Sequence, residues 1–204
     1  MGAHAVTKVG PELFGCGKGD PICSELVAFP KLEWLVINDM PNWKEWSFFD
    51  EVVAMREDGA VEIQKEDAQS AGLQLLPLLV KLQLIGCPPK LRALPPQLGE
   101  VTTSLKEILL IRMNKLKVVE DFPLLSELLT IENCEGLKKV SNLPQVTALR
   151  VGACPNLSHV EGLGSLQQLG MGEDMQGIST RWVPGLQEQQ QRLHGEELDV
   201  YTWS

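Results

Sequence analysis

The amino-acid sequence predicts an α/β fold built as an array. Short coils stack into a curved solenoid with a parallel β-sheet on the concave side, irregular or single-turn helical segments on the convex side, and a helical cap at the C-terminal end. Three observations carry this expectation. An apolar ladder recurs at fixed offsets, the residue that ends each strand recurs with it, and the segment 181–204 abandons the pattern.

Val146, Leu149, Val151, Cys154, Leu157 and Val160 follow offsets 0, +3, +5, +8, +11 and +14. The ladder returns at Leu32, Leu35, Ile37, Met40, Trp43 and Trp46, and at Leu105, Ile108, Leu110, Met113, Leu116 and Val119. A shifted copy runs Ser126, Leu129, Ile131, Cys134, Leu137, Val140; another, with one extra residue after its cysteine, runs Leu79, Leu82, Leu84, Cys87, Leu91, Leu94. A sixth starts at Leu166, Leu169 and Met171 and fades at Asp174. Frames beginning at 32, 79, 105, 126, 146 and 166 leave last intervals of 26, 21, 20 and 20 residues. This is the leucine-rich-repeat pattern LxxLxLxxN/C, whose period is about 20–29 residues. A single coil buries about six apolar side chains worth roughly 1.5–3 kcal/mol each, whereas ordering some 20 residues costs roughly 1–2 kcal/mol apiece. A coil therefore folds only when stacked, with strands about 4.8 Å apart.

Taken in order, residues 1–28 are Gly- and Pro-rich and hold only part of an upstream repeat, and 29–47 carry the first legible one. The acidic stretch 48–75 interrupts the array. Its length and composition predict disorder, with a hairpin fragment near Asp58-Gly59. The array resumes over 76–180. In the cap, 181–204, Pro184 can start a helix, Leu186 and Leu193 lie seven apart on one face, and Gly195 can end it. Trp182 and Trp203 are its expected anchors. No comparable cover is visible at the N-terminal edge, which predicts poor solubility or self-association.

The slot at +8 is where the chain leaves its strand and bends into the core. A small residue able to donate a hydrogen bond to backbone suits it. Cys87, Cys134 and Cys154 occupy it, so these are expected to be structural cysteines. Met40, Met113 and Asp174 take the slot without a comparable donor and predict looser turns. Pro41, Pro88 and Pro155 follow the slot directly, ending each strand because proline lacks an N–H for the ladder.

Composition narrows the function. Lys+Arg 18 against Asp+Glu 27 gives a net charge of −9, which opposes nucleic-acid binding. No stretch approaches the roughly 20 apolar residues of a membrane span, and no signal-peptide core is visible. A cytoplasmic location is expected. Five cysteines without CxxC spacing predict reduced thiols rather than disulfides or a zinc site. No metal site and no catalytic site is expected.

Side chains alternate along a strand, so residues between ladder positions face the concave surface. Trp34, Val36, Leu109, Ile111 and Leu128 place large apolar groups there and Arg150 adds a cation. Such a patch marks a protein interface, or a surface covered by the 48–75 insertion or by further chain.

The wording is also familiar. "VAFPKLEWLVINDMPNWKEW", "LIGCPPKLRALPPQLGE", "LKVVEDFPLLSELLTIENCEGLKKVSNLPQVTALRVGACPNLSHVEGL" and "WVPGLQEQQQRLHGEELDVYTW" resemble the C-terminal repeat region of plant nucleotide-binding leucine-rich-repeat disease-resistance proteins, in their cereal-type branch. The similarity runs from about Val9 to Trp203. The resemblance implies a non-catalytic module of an innate-immune receptor. It would bind a pathogen effector or a guarded host protein, or restrain the receptor's nucleotide-binding switch. That switch is not in this sequence. "FGCGKGD" would need Gly in place of Glu12 and Ser or Thr in place of Gly19 to form a phosphate loop, so no ATP or ADP cofactor is expected.

Two other classes remain. A substrate adaptor of a ubiquitin ligase could use the same solenoid, on fold analogy alone. A cysteine-dependent enzyme could pair Cys154 with His159, or use Cys16, Asp20 and Cys23, but nothing supplies an orienting acid or an oxyanion donor pair.

Overall fold

The computed structural model describes residues 8–9, 29–40, 42–43, 45–46, 76–86, 91–95, 98–99 and 102–204. The insertion 48–75, Cys87, and segment 1–28 apart from Lys8–Val9 lie outside the described residues. What is described is a mixed α/β structure dominated by parallel strands. In chain order these are β1 (Lys8–Val9), β2 (Trp34–Asn38), β3 (Glu45–Trp46), β4 (Lys81–Ile85), β5 (Glu107–Ile111) and β6 (Val118–Glu120). They continue as β7 (Leu128–Glu132), β8 (Lys139–Ser141), β9 (Ala148–Gly152), β10 (His159–Glu161) and β11 (Gln168–Gly172). The helices α1 (Gln176–Ser179) and α2 (Val183–His194) precede β12 (Asp199–Trp203).

The long strands form one sheet in the order β12-β11-β9-β7-β5-β4-β2. The short ones form two smaller sheets, β10-β8-β6 and β1-β3. Register explains why the apolar ladder has its spacing. Leu35, Leu82, Ile108, Leu129, Leu149 and Leu169, all at offset +3, are cross-strand partners in one unbroken row. Ile37, Leu84, Leu110, Ile131, Val151 and Met171, at +5, form the next. Offset +14 is the middle of the short strands, with Val119, Val140 and Val160 aligned. The rows merge into one core in which Leu82, Leu84, Leu110, Leu129, Ile131, Leu149 and Val151 are each 0% exposed.

Two turns per coil recur that the ladder does not contain. After β2, β4, β5, β7 and β9 one residue takes a positive φ: Asp39 (50°), Gly86 (60°), Arg112 (55°), Asn133 (54°) and Ala153 (49°). After the short strands Asp121 (63°), Asn142 (55°) and Gly162 (69°) do the same. The first of these turns aims its N–H at the end of the next long strand. Asp39 donates to Ile85 (2.9 Å), Gly86 to Ile111 (2.8 Å), Arg112 to Glu132 (2.9 Å) and Asn133 to Gly152 (3.0 Å).

The turns expected to be loose are not uniformly so. Leu116 N donates to Met113 O at 3.0 Å, the same distance as Leu137 N to Cys134 O. Met113 is 1% exposed, because a flexible thioether fills the slot by packing alone. At Asp174 the core position shifts by one residue, and Met175 becomes the buried side chain at 0% exposure. The freed carboxylate accepts the N–H of Ala153 at 2.7 Å, replacing the strand-end carbonyl used by earlier coils.

Beyond β11 the chain turns through a 3-10 segment (Glu173–Met175) and α1 into α2. Pro184 lies in the first turn of α2, and Gly195 ends it with φ 70° and an N–H bonded to Gln191 O. The inner face of α2 differs from the expectation. Leu186 and Gln190 are its buried residues, whereas Leu193 is 54% exposed. His194 points back instead, its Nε2 lying 2.7 Å from Gly164 O. Trp182 and Leu186, each 4% exposed, and Leu198 close the core. β12 then adds parallel to β11, completing the sheet edge.

Candidate protein-interaction face

On each long strand the residues between ladder positions fall on the sheet's outer face, in three rows fixed by register. Trp34, Lys81, Glu107 and Leu128 are consecutive partners in the first, and Val36, Gln83, Leu109, Thr130 and Arg150 in the second. The third holds Ile85, Ile111, Glu132 and Gly152.

The six candidate residues are not equivalent. Trp34 is 65% exposed and Val36 51%, while Leu109, Ile111 and Leu128 are half-buried among their neighbours. Trp34 is braced: the Lys81 ammonium lies 5.5 Å from its ring centroid and 2.5 Å from a Glu107 carboxylate oxygen. A cation held over an indole face contributes about 0.5–1 kcal/mol at an exposed site and fixes the ring's orientation. Arg150, four strand spacings or about 19 Å from Val36, lies on β9 beside the β7 strand of Leu128 and is engaged on its other side. Its Nε donates to the Tyr201 hydroxyl at 2.9 Å.

Tyr201 and Trp203 are the part of the face that alternation alone does not find. Both project from β12, with ring centroids 6.4 Å apart and planes inclined at 48°. They lie over glycines. A Cβ on Gly170 would come within 2.8 Å of Trp203 Cζ3 and of Tyr201 Cζ, and one on Gly152 within 3.3 Å of Trp203 Cζ2. The outward glycines of β9 and β11 are therefore a seat for two aromatic rings. The signal was present as Gly152, Gly170 and Gly172 on the last repeat strands, followed by an alternating Tyr-x-Trp. The face thus has an apolar end on β2 to β7 and an Arg–aromatic end on β9 to β12.

The opposite limb offers less. On the short strands Lys139 lies 3.5 Å from Glu120 and 3.7 Å from Glu161, and Asn142 Nδ2 donates to Asp121 at 2.7 Å. Exposed pairs of this kind contribute about 0–1 kcal/mol and present a solvated polar surface.

Cys134 and Cys154 are both 0% exposed and free. The Cys134 sulfur lies 3.4 Å from Glu132 O and 3.8 Å from Leu110 O; that of Cys154 lies 3.3 Å from Gly152 O and 3.9 Å from Ile131 O. Each thiol therefore hangs on its own strand end and on the preceding strand. The hydrogen bond with Cys134, together with burial, pushes the Cys154 thiol far above the usual thiol range. A raised thiol pKa keeps the sulfur protonated at neutral pH and unreactive as a nucleophile. His159 does not reach it: that ring is exposed on β10 and its Nδ1 lies 2.8 Å from Ser158 Oγ. Peptide-resolved alkylation at neutral pH should leave Cys134 and Cys154 unmodified until denaturant is added. Labelling of either in the folded protein would contradict their place in the core.

Cys16, Asp20 and Cys23 lie outside the described residues. Among the described residues no group of three or more His, Cys, Asp or Glu is placed to hold a metal ion, and no helix is long and apolar enough to cross a membrane. No family model, no curated protein and no solved structure matches this chain.

Proposed function

We propose that the chain is a leucine-rich-repeat solenoid of the kind found in plant nucleotide-binding disease-resistance receptors, acting as a cytoplasmic, non-catalytic protein-interaction module. Its concave face would hold a pathogen-derived or host protein, or the receptor's own nucleotide-binding domain. Consecutive parallel strands with in-register apolar rows support the repeat reading. The observation that carries the binding reading is Trp34, a tryptophan 65% exposed on a sheet face and held there by Lys81. Large aromatic anchors of this kind dominate interface energies.

The test is co-precipitation with the nucleotide-binding domain of a plant immune receptor. The chain should capture that domain, and the double substitution Trp34→Ser with Leu109→Ser should weaken capture by at least about tenfold, since anchor residues contribute roughly 2 kcal/mol or more. Circular dichroism and melting should show the variant folded. Undiminished capture by a folded variant removes the face from the reading.

A further inference from the structure

Two of the outward residues on the described long strands are cations, Lys81 and Arg150. They are used differently. Lys81 is paired with Glu107 and held over Trp34, whereas Arg150 is exposed and forms no ion pair among the described residues. Its side chain makes one hydrogen bond there, from Nε to the Tyr201 hydroxyl oxygen at 2.9 Å. A guanidinium carries its N–H donors in a rigid plane, so a bond at Nε fixes where the remaining fork of the two Nη groups points. The Tyr201 oxygen accepts, which leaves its own proton to donate. No acceptor for that proton is found among the described residues. The Nη fork and the hydroxyl are thus neighbouring donors for which the chain supplies no acceptor.

The surroundings leave room for a ligand and favour one of low charge. Arg150 stands between Thr130 on β7 and Gly170 on β11, and Ala148 and Gly152 are its outward neighbours along β9, so the side chains around it are small. Tyr201 and Trp203, both half-buried, lie over the glycines and wall the site on the β12 side. Glu132 stands opposite Gly152 and Asp199 opposite Gln168, in the outward rows on either side of Arg150. Like charges so placed oppose a doubly charged anion more than a single charge seated on the guanidinium.

We propose that this cluster is a recognition subsite for one carboxylate of a partner protein, an Asp or Glu side chain. It takes the Nη edge of Arg150 and the Tyr201 hydroxyl, while an apolar side chain beside it packs on the Trp203 ring. The inference rests on the interaction-module reading and gives the partner a chemistry. Charge complementarity selects the occupant, because a carboxylate matches a guanidinium fork with two parallel hydrogen bonds, and Arg beside aromatic rings is the composition of interface anchors. Gly170 is the positioning residue. A Cβ there would lie 2.8 Å from Tyr201 Cζ and 2.9 Å from its hydroxyl oxygen, and would lift that hydroxyl off Arg150.

The probe is the capped dipeptide acetyl-Glu-Trp-amide, titrated into the isotope-labelled full chain and followed by NMR. Acetyl-Gln-Trp-amide is the uncharged control, and inorganic phosphate the dianionic rival. The Arg150 Nε–H and Trp203 indole N–H resonances should move with the glutamyl peptide and not with the glutaminyl one. Arg150→Gln should weaken binding at least about tenfold, the effect of losing a charge-assisted pair, and Tyr201→Phe about threefold or more. Gly170→Ala should shift the Arg150 Nε–H resonance before any peptide is added, as Tyr201→Phe does, and weaken binding to a similar extent. Circular dichroism should show all three folded. Trp34→Ser with Leu109→Ser should bind the probe normally, so loss of receptor-domain capture and loss of this subsite are told apart. Neutralising the acidic insertion with Glu57→Gln, Asp58→Asn and Glu62→Gln should leave the affinity unchanged. A gain of about tenfold would instead make the chain's own carboxylates the occupant and overturn the proposal. Equal binding of the two peptides, unaltered binding by folded Arg150→Gln or Gly170→Ala, tighter binding of phosphate, or no binding would each overturn it as well.

Discussion

Leu129→Ala should lower the stability of this chain by about 2–5 kcal/mol, the range for truncating a fully buried leucine in a core that cannot collapse. Leu129 is 0% exposed and stands in the middle of the +3 row, with Ile108 on one side and Leu149 on the other. The cavity would be lined by three coils, each held by its own strand bonds, so none can move in to fill it. The apolar row and the strand pairing together join β5, β7 and β9, so weakening the row at Leu129 also loosens the two parts of the sheet on either side of β7. Urea unfolding should show an earlier midpoint and, if the halves separate, a shallower slope. Leu128→Ala is the control. It is one residue away but half-buried on the outer face of β7, and its loss should cost well under half as much. Equal costs for Leu128 and Leu129 would contradict the alternation assigned to β7, and a larger cost at Leu128 would mean that it is inverted.

The difference between those two leucines shows what was legible in the sequence. Ladder positions were readable because a parallel strand with one buried face demands apolar residues two apart, and Leu149 and Val151 meet that demand without exception. The left-handed turns were not readable from residue type. Asn133 and Gly86 are ordinary occupants of positive φ, but Arg112 and Ala153 adopt it only because their N–H groups must reach the next coil or its substitute. Asp174 fell in the cysteine slot by counting, yet a carboxylate costs too much to bury there. The chain instead advances one residue so that Met175 enters the core. Leu193 lies seven residues from Leu186 and so on nearly the same side of the helix, yet it is 54% exposed; the buried residues are Leu186 and Gln190, and the exposed His194 ring bonds back to Gly164 O. On the candidate face, exposure of Trp34 and Val36 follows directly from the alternation. The aromatic seat over Gly152 and Gly170 does not, because it depends on β12 joining in register with β11.

Coil spacing itself is set by residues the ladder ignores, and Gly136→Ala should expose this with a loss of about 1–3 kcal/mol, the usual cost of forcing a methyl into filled space. For a chain of this size that corresponds to a melting point lower by about 2–4 °C for each kcal/mol. A Cβ at Gly136 would meet the backbone oxygens of Asn114 and Leu116 in the preceding coil. Backbone atoms tied into a stacked coil cannot rotate aside as a flexible side chain can. The equivalent position in the following coil, Asn156, accommodates a side chain and uses it, donating from Nδ2 to Glu135 O at 2.7 Å. The coil that begins at Ser126 therefore approaches its predecessor more closely at this turn than the next coil does. Gly164→Ala separates this effect from a general intolerance of lost glycines, since its nearest non-neighbouring atom, Pro144 O, would lie at 3.6 Å, an ordinary contact. That substitution should leave stability unchanged or slightly raised, because alanine restricts the unfolded chain. If Gly136→Ala melts with the unaltered protein while Gly164→Ala falls, close approach of coils at Gly136 is not what holds β7 against β5.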